Sequence, residues 1–100
     1  MTDWPFADPP NVVTFTMRQI VDGERPILIV CHDEDDGGWQ FLTGDVIDMA
    51  DALLVSLRTI VGVDASVLEL ADLDVGWRAH RTHPHAPWVR EKAPLPEGAA

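Results

Sequence analysis

The chain has a single cysteine, no tyrosine, only seven basic residues against seventeen acidic ones, and no long apolar run. With Cys31 alone no internal disulfide can form, which agrees with a reducing compartment. The longest unbroken apolar run is Ile27 to Cys31, far short of the roughly 20 residues that a membrane-crossing helix requires, so no membrane association is expected. The amino-terminal MTDWPFADPP has no basic segment leading into an apolar one. A secretory signal is therefore not expected, and the cytoplasm is the default location. Ser56 has no nucleophile elbow around it, and no glycine-rich phosphate cradle occurs.

The shortage of basic residues is uneven. Residues 1–75 hold 15 of the 17 acids and only Arg18, Arg25 and Arg58, whereas residues 76–100 carry Arg78, Arg81, Arg90 and Lys92 with three of the four histidines. A body of this charge repels phosphate backbones, which argues against nucleic-acid binding. The same charge attracts a basic protein partner.

What is present is enough for one small domain. One hundred residues, 46% of them hydrophobic, can bury a single core without staples. Residues 1–11 read as a proline-rich arm, because Pro5, Pro9 and Pro10 fix φ and remove donors, with Trp4 and Phe6 packing onto the body. Val12 to Thr16 is β-branched and aromatic, hence a strand. TMRQIVDG reads as a short helix capped by Thr16 and ended by Gly23, with a strand continuing through it as the alternative. Pro26 opens ILIVCH, the most apolar stretch and a central strand. Gly38 to Leu42 is a second strand, joined to it by the turn DEDDGG. Residues 45–51 make a loose helical turn, and Ala52 to Leu57 a third strand. Ser56 to Val63 and Asp64 to Leu73 read as helices. In the second, Asp64 is the cap and Val67, Leu68, Ala71 and Leu73 form the apolar stripe. Gly76 and Trp77 begin a strand through His80, and a proline-containing tail follows from His83. The expectation is a small single α+β domain over residues 12–92, with a mainly antiparallel sheet and two or three short helices packed on it. Residues 93–100 are expected to be a mobile tail.

CHDEDDGGWQFLTGD, residues 31–45, concentrates the chemistry. As an EF-hand loop it fails where ligands matter. Counting from Asp33, the fifth position is Gly37 and the twelfth is Gly44, where oxygen ligands are needed. Asp33, Glu34, Asp35 and Asp36 read instead as an exposed hairpin tip, a negative knob for a positive partner surface. Cys31 and His32 are strand neighbours whose side chains point to opposite faces, so they cannot form a nucleophile pair. Cys31 itself reads as a buried packing residue. His80, His83 and His85 are candidate metal ligands, but HRTHPH is not a recurrent zinc spacing. Trp39 and Trp77 are expected in the core, while Trp4 and Trp88 are expected to anchor the terminal arms.

The segments GGWQFLTGD and LVSLRTIVGVDASVLELADLDVGW resemble a bacterial domain-of-unknown-function family that includes immunity-protein-33-like members. The matching residues are Gly38, Trp39, Phe41 and Gly44 in a GW-x-F-x-x-G hairpin, then Leu57 and Ile60, then Asp64, Leu70, Leu73 and Gly76. The resemblance covers residues 12–80. Ala65 departs from it, standing where many relatives have proline, and the histidine segment lies outside the pattern. The resemblance implies no catalytic signature, and some members are similar to immunity proteins that block a toxin by binding it. Together these readings give a non-enzymatic, cytoplasmic protein-interaction module with no cofactor, engaging a basic protein partner through Asp33–Asp36. A metal-binding protein or metal-dependent enzyme using His80, His83 and His85 is the alternative. The sequence sets no oligomeric state.

Overall fold

Strand β1 (Val13–Met17) runs directly into a one-turn helix, α1 (Arg18–Val21), in a computed structural model that describes residues 4–93. Strands β2 (Ile29–His32) and β3 (Trp39–Leu42) form a hairpin. A 3-10 turn (Met49–Asp51) leads to β4 (Ala52–Ser56), followed by α2 (Leu57–Val63) and a 3-10 helix (Ala65–Leu70). Two further strands, β5 (Trp77–His80) and β6 (Val89–Lys92), complete one six-stranded sheet in the order β4-β1-β3-β2-β5-β6. Only β1 and β3 are parallel; the other four pairings are antiparallel. The protein is thus a single α+β domain with a mainly antiparallel sheet, as expected.

Strand register divides the sheet into two unlike faces. Thr16, Phe41, Val30 and Ala79 lie in one row across β1, β3, β2 and β5. All four are fully buried, together with Ile20, Leu57, Ile60, Val67 and Leu70 from the helical segments. This inner face is the core, and Phe6 of the arm closes one end of it. Two threonines in that core are tolerated because each hydroxyl donates to a carbonyl, Thr14 to Val55 O and Thr16 to Phe41 O, both at 2.9 Å. An unpaired buried hydroxyl would instead cost about 1–3 kcal/mol. The opposite row, Arg78, Cys31, Gln40 and Phe15, is half-buried and ends at the exposed Leu54.

Several sequence expectations are corrected by this packing. The segment after Asp64 is a 3-10 helix rather than an α-helix. Its three-residue period buries Val67 and Leu70 and leaves Leu68 only half-buried, while beyond its end Leu73 is buried and Ala71 half-buried. Thr16 does not cap α1; it belongs to β1 and spends its hydroxyl inside the core, so the cap position falls to Met17 and has no side-chain bond. The stretch read as a tail contains β6, an edge strand on which charged residues are at home. Cys31 is half-buried on the outer face rather than in the core. Trp77 is likewise half-buried, not a core residue.

The arm from Trp4 to residue 11 forms neither strand nor helix. Trp4 packs against the core beside Phe6, its Nε1 bonded within the arm to Asp8 O at 2.6 Å, and Trp88 Nε1 donates to Ser66 O at 3.3 Å, so both tryptophans anchor their segments. At the other end Ala93 N–H donates to Gly76 O at 2.8 Å; the rest of the expected mobile tail, residues 94–100, lies outside the described residues.

Trp39 is 3% exposed, with Phe6 edge-on at 5.3 Å and the His32 ring stacked at 3.9 Å. Trp39→Ala is expected to cost about 3–5 kcal/mol, the usual range for emptying a core aromatic site. Urea unfolding checks this, and an unchanged midpoint would contradict the packing described.

Candidate functional site

The β2–β3 turn is a tightly closed acidic tip. Asp33 N–H donates to Gly38 O at 2.8 Å, and Gly37 N–H donates back to Asp33 O at 2.9 Å. Gly37 has φ of 70°, a left-handed conformation that a side chain would strain. Two of the four acids hold the turn itself. Asp36 Oδ1 accepts from Gly38 N–H, and Asp33 Oδ2 accepts from Gln40 Nε2, both at 2.8 Å. Glu34 and Asp35 are exposed at the end of the tip.

The tip rests on a second loop. Gly76 N–H donates to His32 O at 2.7 Å, which brings the turn before β5 against the hairpin. Gly76 has φ of 81°, and a Cβ there would lie 3.2 Å from Glu34 Oε2. The backbone angle therefore favours glycine, and a side chain there would also push the Glu34 carboxylate aside. Below the tip, the His32 ring is fixed by its stack on Trp39 and by Nδ1, 2.7 Å from Leu73 O. The carbonyl can only accept, so Nδ1 carries the proton and donates. Trp39 Nε1 donates to Asp8 Oδ2 at 2.8 Å. The four acids thus sit at one end of the sheet on a stacked, hydrogen-bonded aromatic base.

The remaining sequence candidates are dispersed. Cys31 and His32 do project to opposite faces, so no thiol–imidazole pair forms. Burial, reinforced by the charge of Asp33 and partly offset by Arg78, pushes the Cys31 thiol up, which keeps it protonated at neutral pH. His80 lies on the outer face, its Nε2 3.8 Å from Glu91 Oε1. It borders a groove of about 570 Å³ that also includes Arg78, Thr43 and Thr82. His83 and His85 sit in the exposed loop after β5, where His83 Nδ1 accepts from His85 N–H at 3.2 Å. Among the described residues, no three His, Cys, Asp or Glu side chains converge to hold a metal ion. No helix among them is long and apolar enough to cross a membrane.

Arg81 is the residue that sequence reasoning missed. Its side chain is 1% exposed. Nε donates to Ile27 O at 3.1 Å, Nη1 to Ser66 Oγ at 3.0 Å and Nη2 to Asp64 Oδ2 at 2.7 Å, while the guanidinium carbon lies 3.9 Å from the Trp88 ring centre. In the sequence it is one arginine among several in the C-terminal quarter, and its partners lie 15, 17 and 54 residues away. The only local signal is the D-x-S cap at Asp64–Ser66, whose oxygens it reads. The site is structural, since each of the three guanidinium nitrogens donates to one of the protein's own groups.

No family model, curated protein or solved structure matches this chain.

The Arg81 cluster carries a pH signature. Burial raises the Asp64 carboxyl, but hydrogen bonds from Ser66 and the donor and charge of Arg81 outweigh it and hold the pKa below the usual value. A depressed folded-state pKa contributes stability above the unfolded value of about 3.9, and that contribution is lost as pH falls through the folded value. Urea midpoints measured from neutral pH downward are therefore expected to show an acid limb below about pH 4 that is shallower in Asp64→Asn. An identical limb in the variant would remove Asp64 as its source.

Proposed function

We propose that this chain is a non-enzymatic, cytoplasmic protein-interaction module that presents Asp33–Asp36 to a basic surface on a protein partner. The observation that carries this reading is the internal bonding of the tip. Gly37, Gly38 and Gln40 close the turn and fix the carboxylates of Asp33 and Asp36 before any partner arrives, with Glu34 and Asp35 on the same fixed backbone. A preorganised charged loop avoids much of the ordering cost of association, and clustered charge speeds encounter with an oppositely charged surface. The net charge of −10 adds long-range attraction of the same sign. The immunity-protein-like role rests on the sequence resemblance, which fits a module whose task is to bind rather than to catalyse. The three candidate histidines are split between the sheet's outer face and an exposed loop, and this placement does not favour the metal reading.

The test uses a partner captured from the native host with the full chain as bait, then purified and titrated. Glu34→Gln with Asp35→Asn removes two of the three exposed charges, those that make no bond within the turn, and leaves the turn's own hydrogen bonds in place. Association is expected to slow by about tenfold or more and to lose much of its salt dependence, with dissociation changed less. Stability is expected to stay within about 0.5 kcal/mol, as for most exposed substitutions. An association rate and salt slope equal to wild type would overturn the assignment of the tip.

A further inference from the structure

The two edges of the sheet are not alike. Strand β6 carries Arg90, Glu91 and Lys92 along its length, the kind of charge that discourages strand addition. Strand β4, at the other edge, reads ALLVS. It has no charge and no proline, and Leu54 at its centre is 72% exposed beside Val13 at 61%. We infer that the free edge of β4 is a self-association site, at which two copies of this chain pair β4 with β4 antiparallel about a twofold axis through Leu54.

The backbone hydrogen bonds carry the argument. Leu57 N–H donates to Val12 O at 2.9 Å, one step beyond the Val13–Ser56 pair of the antiparallel β1–β4 ladder. Hydrogen-bonded and non-bonded pairs alternate in such a ladder. The bonded pairs are therefore Val12–Leu57, Thr14–Val55 and Thr16–Leu53. The Thr14 hydroxyl bond to Val55 O agrees, because it places that carbonyl on the β1 side. Ala52, Leu54 and Ser56 consequently turn their backbone groups toward the open edge. Two of those six groups are already engaged. Ala52 N–H donates to Met49 O, and the Ser56 carbonyl, at the N-cap of α2, accepts the first bond of that helix.

The four groups left over are self-complementary. With Leu54 opposite Leu54 of the second copy, each exchanges both its bonds with its twin. Ser56 N–H then meets the Ala52 carbonyl of the other chain, and the reverse pair forms by symmetry. The two engaged groups, Ala52 N–H and Ser56 C=O, face each other and need nothing from the partner. In the same register Leu53 lies opposite Val55, so every facing pair from 53 to 55 is apolar. The flanks match as well. Asp48 precedes the strand and Arg58 follows it, Asp51 being engaged by Gln19 and Arg18 of its own chain, so the antiparallel arrangement sets Asp48 of one copy toward the Arg58 end of the other. An isologous contact of this kind closes at two copies and does not propagate.

Sedimentation equilibrium of the full chain at increasing concentration tests the inference. Leu54→Lys places like charges directly opposite one another across the axis. Leu54→Pro removes the outward N–H at a position where an edge strand tolerates proline. The wild type is expected to pass from monomer to dimer in the micromolar range. Either variant is expected to weaken the dimer about 100-fold or more, because symmetry counts each change twice, with an unchanged far-ultraviolet circular dichroism spectrum for Leu54→Lys. A wild type that stays monomeric into the millimolar range would overturn the inference, as would a dimer that survives in a folded Leu54→Lys variant.

Discussion

A buried guanidinium holds this domain together. Arg81 leaves the end of β5 and reaches three separate parts of the chain: the backbone before β2 at Ile27, the cap of the 3-10 helix at Asp64 and Ser66, and the Trp88 ring that introduces β6. Such a charge is tolerated only where its donors are met. Among the described residues no buried side-chain nitrogen or oxygen lacks a partner. Breaking a buried pair by removing one member typically costs about 3–5 kcal/mol, whereas replacing a whole ionic cluster by well-packed apolar groups is often neutral. What Arg81 supplies is therefore position more than net stability. It registers the helical layer against the sheet, and through Trp88 it adds to the contacts by which β6 is held, the β5 ladder, the Arg78–Glu91 pair at 2.7 Å and the Arg90 bonds to Glu69 O and Asp72.

That dependence explains which parts of the fold were legible in the sequence. Strands β1 to β3 could be read because β-branched and aromatic residues alternate with turn residues on a scale of a few positions. The acidic tip could be read because Asp and Gly have local reasons to turn. Strand β6 could not, since VREK has no apolar alternation and follows Pro84 and Pro87; its pairing with β5, the Trp88–Arg81 contact and the bonds of Glu91 to Arg78 and of Arg90 to Glu69 O and Asp72 hold it. The 3-10 geometry after Asp64 was missed for a related reason. Val67, Leu70 and Leu73 fit a three-residue period as well as Val67, Leu68 and Ala71 fit a helical stripe, and the choice is made by packing on the sheet. Of the candidate site residues, the cluster Asp33–Asp36 was visible as a run. Its division of labour, with Asp33 and Asp36 bonded within the turn and Glu34 and Asp35 free of it, was not, because Gln40 and Gly76 act from other elements.

The resulting molecule separates its tasks by surface. One face of the sheet is closed by helices and the proline-rich arm. One end presents carboxylates over the Trp39–His32 stack. One edge is guarded by charge, while the other leaves a matched set of backbone donors and acceptors. If the chain acts as the interaction module proposed above, such division would serve it, because a single undivided acidic surface would attract basic partners without fixing their orientation.

The central claim is that Arg81 couples the helical layer and the β6 edge to the sheet as one unit. Native-state hydrogen exchange of Arg81→Met, compared with wild type, tests it most directly. The account predicts that protection falls together in Ala65–Leu70 and Val89–Lys92, while the amides of β1, β3 and β4 retain theirs. Loss confined to one of those two segments, or protection unchanged in both, would contradict it.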